Sequence, residues 1–258
     1  MDYKTIVVSV SDSGVATVKF NQPEKRNALS LELREELLNF FETAKNNDEI
    51  RAILLTGEGK AFSAGGDLST LKEVEPVAGR KRLQIGHDLI RSMVNLEKPI
   101  VAAVNGAAAG AGVSIALASD IVIAGQSSIF IQSFVNVGLI PDLGSIYFLP
   151  RLIGRHRAME LMFLGDRVSA QEAKEMGLIN RVVEDDKLLE EAGKIAEKLA
   201  SGPSMALGFM KKLVNRSILN DLDETLEVES FAQGFCFGSE DFKEGVQAFF
   251  EKRKPRFK

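Results

Sequence analysis

Two glycine-rich segments, each at the end of an apolar strand, constrain the fold more than any other feature of the sequence. "GKAFSAGGDL" (59–68) follows a strand predicted at 50–57, and "NGAAAGAGVSIAL" (105–117) continues a strand predicted at 99–106. Glycines there let the backbone approach a ligand closely, and a helix that begins in such a turn has N–H groups without partners. Two such turns side by side can direct two N–H groups at one oxygen of a ligand. An equally good interpretation is that the glycines serve only the tight packing of the chain.

Strands and helices alternate along the first three quarters of the chain, which predicts an α/β protein with parallel βαβ units. Ser30 is the predicted cap of the first helix. One helix is predicted over 143–164, and from residue 186 the pattern is mostly helical. The only plausible domain boundary separates residues 1–190 from the helical residues 191–258. The other predicted elements are a hairpin at 5–10 and 15–20, helices at 80–95, 110–118 and 169–177, and strands at 120–125, 129–134 and 179–183.

Motifs and composition exclude several classes of function. The glycine-rich segments match neither a phosphate loop, which ends in Lys-Ser/Thr, nor the glycine spacing of a dinucleotide-binding fingerprint. With 26% charged residues and a net charge of −4, the chain is not expected to bind nucleic acid or a membrane surface. One cysteine, no signal sequence and no apolar run of membrane-spanning length predict a cytoplasmic protein. No His, Cys and Asp cluster has the spacing of metal ligands.

Five stretches together resemble the enoyl-CoA hydratase/isomerase (crotonase) superfamily in order and spacing, over nearly the whole chain. The resemblance implies a spiral of ββα turns, the crotonase (ClpP-like) core, followed by a helical C-terminal trimerisation region. It also implies a homotrimer or a dimer of trimers and an acyl-CoA thioester substrate, with no cofactor. The stretches are "PEKRNAL", "AFSAGGDL", "KPIVAAVNGAAAGAGVSIALASDIVIAG", "VGLIPDLGSIYFLPRLIGRHRAMELMFLG" and "SAQEAKEMGLINRVV".

The same resemblance assigns residues to the site. The backbone N–H groups of Ala64 and Ala111 are the implied donors to the thioester oxygen, and together they stabilise an enolate. Asp67 is more simply interpreted as a cap for the helical turn that follows it. The further residues implied to contact substrate or coenzyme A are Lys25, Arg26, Ala28, Gly65, Gly66, Asp67, Leu68, Gly110 and Lys252.

The sequence departs from the hydratase branch at the two glutamates that hold and activate water there. Those positions fall on Ser114 and Phe134, and neither side chain can replace a carboxylate. Ser114 is expected to pack within its helix, with a hydrogen bond to substrate as the alternative. Phe134 is expected to line an acyl pocket. Efficient hydration is therefore not predicted.

Asp142, in "GLIPDLG", is the remaining carboxylate in this apolar stretch. In the family, aspartate at this position occurs in isomerase branches, and the surrounding sequence looks closest to the phenylacetate-degradation type. A dry, apolar site also raises a carboxylate's pKa, which suits a proton-shuttling base. The alternative is a cap for a helix that begins at Leu143. His87 and His156 are expected at the surface, with a minor pocket role for His87 left open.

These observations predict an acyl-CoA isomerase in which Asp142 is the base. Three alternatives remain: an enoyl-CoA hydratase, an aryl-CoA dehalogenase, and a non-catalytic subunit that binds CoA esters. The dehalogenase branch relies on a pocket tryptophan, and the chain has none. The C-terminal phenylalanines predict either a subunit interface or packing on the body of the same chain; they are Phe231, Phe235, Phe237, Phe242, Phe249, Phe250 and Phe257.

Overall fold

The computed structural model describes residues 3–70 and 74–257, and they form a mixed α/β structure. The strands of these residues are β1 (Ile6–Val10), β2 (Val15–Phe20), β3 (Ala52–Gly57), β4 (Ala61–Ser63), β5 (Ile100–Val104), β6 (Ala107–Ala109), β7 (Ile121–Gly125), β8 (Ile129–Ile131), β9 (Arg167–Ser169) and β10 (Arg181–Val183). The helices are α1 (Leu31–Lys45), α2 (Pro76–Asn95), α3 (Ala111–Leu117), α4 (Ser145–Ile153), α5 (Arg155–Leu164), α6 (Ala170–Glu175), α7 (Leu188–Ala200), α8 (Ser204–Ser217), α9 (Leu222–Phe237) and α10 (Glu240–Phe250).

The strands are divided between two sheets in an alternating order. The larger sheet has the order β1-β2-β3-β5-β7-β10, and the smaller has the order β4-β6-β8-β9. β3, β5 and β7 pair in parallel in the first sheet, and β4, β6 and β8 pair in parallel in the second. Each turn of chain therefore contributes one strand to each sheet and then a helix, as in β3-β4-α2 and β5-β6-α3. This is the predicted ββα spiral.

Local sequence signals account for most element boundaries. Ser30 caps α1 as predicted, because its side chain accepts a hydrogen bond from the Leu33 N–H. The single helix predicted over 143–164 is wrong: Gly154, with φ 78°, separates α4 from α5. The strand predicted at 129–134 ends at Ile131, and a 3-10 helix over Ser133–Val137 follows it.

Helix α7 packs on one face of the larger sheet. The predicted domain boundary near residue 190 falls inside this helix. Ala192, Ala196 and Ala200 are buried there against strand residues such as Leu54 and Val101. Small alanines on one helix face allow this close approach to the sheet.

Three helices, α8 to α10, follow this layer, and much of their apolar surface is exposed. Lys211 of α8 joins them to the core through an ion pair with Asp120, at 2.8 Å. Phe235 and Phe249 are 67% and 77% exposed. The alternative prediction, that these rings pack on the body of the same chain, is therefore wrong. No helix within the described ranges is long and apolar enough to cross a lipid bilayer.

Candidate active site

The two glycine-rich turns lie side by side, because β4 and β6 are parallel neighbours and each turn leaves the same end of its strand. Gly65 adopts φ +86°, which an L-residue rarely adopts. A Cβ atom on Gly65 would lie 2.5 Å from the Ala109 carbonyl oxygen and 3.4 Å from the Ala111 nitrogen. The glycine therefore allows one turn to touch the backbone of the other. The predicted juxtaposition of the two turns is present.

Two backbone N–H groups at this junction have no acceptor among the described residues. Ala111 is the first residue of α3, so its N–H lies outside the helical hydrogen-bond ladder. In the other turn the Ala64 N–H donates to the Arg26 carbonyl at 2.8 Å. An N–H that already has an acceptor cannot also hold a thioester oxygen, so the assignment of Ala64 as a donor is corrected. The Gly65 N–H donates to the Ser63 hydroxyl, which leaves the Gly66 N–H as the free donor.

The loop at 22–30 is held directly against the first glycine-rich turn. Its anchor is Asn27, a buried residue whose side-chain amide donates to the carbonyl oxygens of Glu58 and Ala61 at 2.9 and 2.7 Å. The Leu29 N–H donates to the Gly65 carbonyl at 2.7 Å. The predicted CoA-contact residues of this loop thus lie beside the turn, with Lys25 and Arg26 exposed and Ala28 half-buried.

Asp142 lies in the irregular segment before α4, and its carboxylate is not a helix cap. The helix begins at Ser145, its N-cap residue is Gly144, and no side chain caps it. The alternative interpretation of Asp142 as a cap is therefore wrong. The Oδ1 atom of Asp142 is buried and has no hydrogen-bond partner among the described residues. Such an atom is costly to bury, which is typical of a group that acts on a ligand.

A chain of three polar side chains fixes the backbone at Asp142. Ser114 is fully buried, and its hydroxyl donates to the Asp142 carbonyl at 2.9 Å. The hydroxyls of Ser114 and Ser145 are 2.8 Å apart, and the Gln132 side-chain amide donates to Ser145 at 3.2 Å. Ser114 therefore positions the segment that carries Asp142. The hydroxyl is already engaged within the protein, as the packing interpretation expected.

Phe134 lies close to the second turn. Its ring atoms are 3.6–3.7 Å from the position that a Cβ atom on Gly110 would occupy, and its side chain is buried. An aromatic ring there supplies an apolar surface beside the Ala111 N–H. It cannot orient or deprotonate a water molecule.

Arg34 and Arg82 were not predicted from the sequence. The charge of Arg34 acts on Asp142, and the charge of Arg82 acts on Arg34. Arg34 is 3% exposed, and its Nη2 atom is 4.0 Å from the position of a Cβ atom on Gly66. Burial raises the pKa of the Asp142 carboxyl, whereas Arg34 and, to a smaller degree, His87 lower it. His87 itself lies exposed on α2. The carboxylate is therefore a largely buried acidic group beside a positive charge.

The pattern of α1 contains a signal for Arg34 that is easily overlooked. Arg34 lies three and seven residues before Leu37 and Phe41, so it shares the buried face of the helix with them. Arg82 likewise precedes Gly86 and Leu89 on the buried face of α2. A charged residue within an apolar stripe is the feature that marks both positions.

The remaining predicted contacts have simpler surroundings. Asp67 accepts hydrogen bonds from the backbone and hydroxyl of Ser69, in agreement with a local capping role, and Leu68 is exposed. Lys252 follows α10 and is exposed; within the described ranges its side chain forms no hydrogen bond or ion pair. No group of three or more His, Cys, Asp or Glu residues in the described part of the chain is placed to hold a metal ion.

Comparison with known proteins agrees with this arrangement. The family model described as enoyl-CoA hydratase/isomerase matches residues 11–258. The chain belongs to the enoyl-CoA hydratase/isomerase family. The 1,2-epoxyphenylacetyl-CoA isomerase of Escherichia coli is 40% identical over 97% of each chain. The short-chain-enoyl-CoA hydratase of Clostridium acetobutylicum is 39% identical over 96% of this chain and 95% of that one.

Solved structures of the family show the same crotonase fold. A crystal structure of an enoyl-CoA hydratase from Bacillus anthracis superposes with a TM-score of 0.95 at 36% identity, covering 99% of both chains. Family membership thus places the glycine-rich turns and Asp142 in a fold whose relatives include both isomerases and hydratases. Overall similarity does not separate the two reactions, so the chemistry of the site has to do so.

Gly65→Ala tests whether close contact between the turns is needed. The matched control is Gly138→Ala, because Gly138 also has positive φ (+71°) but no described atom within 4 Å of its Cβ position. The strained backbone alone should cost about 1–2 kcal/mol in either variant. We expect Gly65→Ala to lower the free energy of unfolding by about 1–3 kcal/mol more, from overpacking. Equal losses in urea unfolding at one protein concentration would contradict the inferred contact.

Proposed function

We propose that the chain is an acyl-CoA isomerase that shifts a carbon–carbon double bond through an enolate. The observation that carries this proposal is the Asp142 carboxylate, which has a buried oxygen without a partner. Ser114 and Phe134 stand where the hydratase branch has its two glutamates. Among the residues that the structure describes, the site therefore offers one base and no pair of carboxylates to hold a water molecule. A 1,3-proton shift needs only one base that reaches both carbons.

The proposed reaction conserves charge and protons at every step. The Asp142 carboxylate removes a proton from C2 of a 3-enoyl thioester, and the electron pair moves onto the thioester oxygen. The N–H groups of Gly66 and Ala111 hold that oxygen. When the enolate collapses, the Asp142 carboxyl returns a proton to C4, so the double bond moves from C3–C4 to C2–C3. The carboxylate is then ready for another turnover.

The two backbone donors matter because the α proton of a thioester is only weakly acidic. A preorganised donor aimed at a developing oxyanion contributes about 3–4 kcal/mol to transition-state stabilisation. The free N–H groups of Gly66 and Ala111 support this role, since their turns are in contact through Gly65 and Ala109. The donors belong to the backbone, so side-chain substitutions reach them only indirectly.

The alternatives differ in what they require of Asp142. A hydratase needs groups that orient and deprotonate water, and relatives with that printed activity are as similar to this chain as the isomerase. A non-catalytic subunit would bind acyl-CoA without needing a base. The unpaired carboxylate oxygen favours the isomerase over both.

The substrate is a coenzyme A thioester that contacts the loop with Lys25, Arg26 and Ala28, and in the assembled enzyme Lys252. The reaction moves only a proton, so it requires no metal ion or redox cofactor. The exposed phenylalanines of α9 and α10 support assembly into trimers or dimers of trimers. A single cysteine fits a reducing compartment such as the cytoplasm.

Proton NMR of 3-hexenoyl-CoA in heavy water, with the wild type and Asp142→Asn, tests the proposal. We expect the wild type to shift the double bond to C2–C3. Loss of the base should slow this conversion by about 10²–10⁴-fold. Asp88→Asn is the matched control, because Asp88 is an exposed carboxylate paired with Arg91 on α2, and it should leave the rate unchanged.

The other outcomes of this experiment identify the alternatives. Accumulation of 3-hydroxyacyl-CoA would show that hydration is the reaction. Tight binding of the thioester without turnover, in both the wild type and Asp142→Asn, would indicate a non-catalytic subunit.

The pH dependence of kcat/KM tests the environment of the base. Asp142 is active only when deprotonated, and burial raises its pKa, so activity should fall as the pH drops through that raised pKa. Arg34→Met removes a charge that lowers this pKa, so the acidic limb should move to higher pH. Arg91→Met, on the exposed face of α2, should not move it. A limb that stays fixed or moves to lower pH in Arg34→Met would exclude the proposed coupling.

A further inference from the structure

The chain reverses direction immediately after Asp142, through a four-residue turn that leads into α4. The Ser145 N–H donates to the Asp142 carbonyl at 3.1 Å and closes the turn. The two central residues, Leu143 and Gly144, have φ values of 47° and 87°. Positive φ at both central positions is typical of a type I′ turn, which usually contains Asn, Asp or Gly there. A leucine at the first of these positions is therefore unusual.

Leu143 combines a strained backbone with a fully buried side chain. Positive φ brings the Cβ atom of an L-residue close to the following carbonyl oxygen, which costs free energy. Three other described residues besides glycine have positive φ, and all three are polar: Arg26, Asn27 and Lys252. Leu143, in contrast, is apolar and 0% exposed. Because strained residues persist only where the surrounding structure holds them, contacts of the Leu143 side chain must stabilise this turn.

The side chain of Leu143 fills a gap in α2 at Gly86. A Cβ atom on Gly86 would lie 2.3 Å from the Cδ2 atom of Leu143 and 3.5 Å from its Cγ atom. Two carbon atoms in van der Waals contact are about 3.5–4.0 Å apart, so only glycine leaves room for this methyl group. Gly86 lies on the buried face of α2, which packs on α1. Leu143 therefore connects the turn to this pair of helices.

A second contact holds the other end of the turn. The Asp142 carbonyl accepts a hydrogen bond from the Ser114 hydroxyl at 2.9 Å, in addition to that from the Ser145 N–H. Ser114 belongs to α3, the helix that begins at Ala111. The Oδ1 atom of Asp142 has no hydrogen-bond partner among the described residues. The backbone of the turn, rather than a hydrogen bond to Oδ1, therefore orients the carboxylate.

We propose that Leu143 is a positioning residue for Asp142. Its side chain, seated against Gly86, holds the strained turn and thereby fixes the direction of the carboxylate. This proposal rests on the proposed function, because it concerns the base of that reaction. A shorter side chain would leave the gap at Gly86 unfilled, and the turn would relax to an unstrained conformation. The carboxylate would then lose both its burial and its alignment with the substrate.

The pKa of Asp142 tests this role without any substrate. It is measured by ¹³C NMR of protein labelled at the aspartate carboxyl carbons, and Asp142→Asn assigns the signal. Burial raises this pKa, whereas Arg34 and His87 lower it to a smaller degree. We expect Leu143→Ala to lower the pKa of Asp142 toward its ordinary value, because loss of burial removes the larger effect. Leu143→Met, which conserves side-chain volume, should leave the pKa raised.

Two further variants separate positioning from a general loss of stability. Leu188→Ala empties a buried position beneath α7, in the other hydrophobic cluster, so it should lower the free energy of unfolding without changing the pKa of Asp142. Gly86→Ala displaces the methyl group of Leu143 without emptying the core. It should lower the pKa of Asp142 even if Leu143→Ala does not fold. Circular dichroism of each variant verifies that it is folded.

Steady-state kinetics provide a second readout. For 3-hexenoyl-CoA, Leu143→Ala should lower kcat by about 10²-fold with little change in KM, since a misplaced base affects the chemical step rather than binding. Leu143→Met should retain most of the wild-type kcat. Leu188→Ala should leave both constants unchanged.

The outcomes separate this proposal from the proposed function. A pKa of Asp142 that stays raised in both Leu143→Ala and Gly86→Ala, or that falls equally in Leu188→Ala, would overturn the positioning role even if 3-hexenoyl-CoA is isomerised. A fall confined to the Leu143→Ala and Gly86→Ala variants would support the positioning role even if no isomerisation occurs.

Discussion

Contact between the two glycine-rich turns is the constraint on which the rest of the site depends. Gly65 lies so close to Ala109 that a single added carbon would be 2.5 Å from its carbonyl oxygen. This approach is possible because β4 and β6 are parallel neighbours whose ends coincide. It brings a free N–H from each turn to the same place, without using any reactive side chain. The spiral of ββα turns thus brings together two turns with free N–H groups, which is the arrangement that the proposed binding of a thioester oxygen requires.

The polar groups around Asp142 divide into those that position it and those left unsatisfied. Gln132, Ser145 and Ser114 form a hydrogen-bonded chain that ends at the Asp142 carbonyl. The carboxylate itself keeps a buried oxygen without a partner. Burying such groups costs free energy, and natural proteins accept such costs mainly where they serve a function. A rigid backbone with an unpaired carboxylate is the arrangement that a proton-transferring base requires.

The alternation of strands and helices predicted the α/β class, and local sequence predicted the cap at Ser30; the ββα spiral came from the family resemblance, and contact between the glycine turns was one of two interpretations. The sequence did not predict the break at Gly154, or the short strands β4, β6 and β9 of the smaller sheet, which depend on tertiary pairing. The donor assignment to Ala64 failed because spacing alone cannot show that its N–H is bound to Arg26. Arg34 and Arg82 were not predicted, although each lies on the buried face of its helix in the patterns of α1 and α2. Only the folded chain shows that these faces meet near Asp142.

The central claim is that one carboxylate moves a proton and that no water is added to the substrate. The most direct measurement is mass spectrometry of the acyl products after 2-hexenoyl-CoA is incubated with the protein in ¹⁸O-labelled water. The account predicts interconversion with 3-hexenoyl-CoA and no ¹⁸O in the acyl group. A 3-hydroxyacyl product that carries ¹⁸O would contradict the account and would show that the site activates water without the two glutamates.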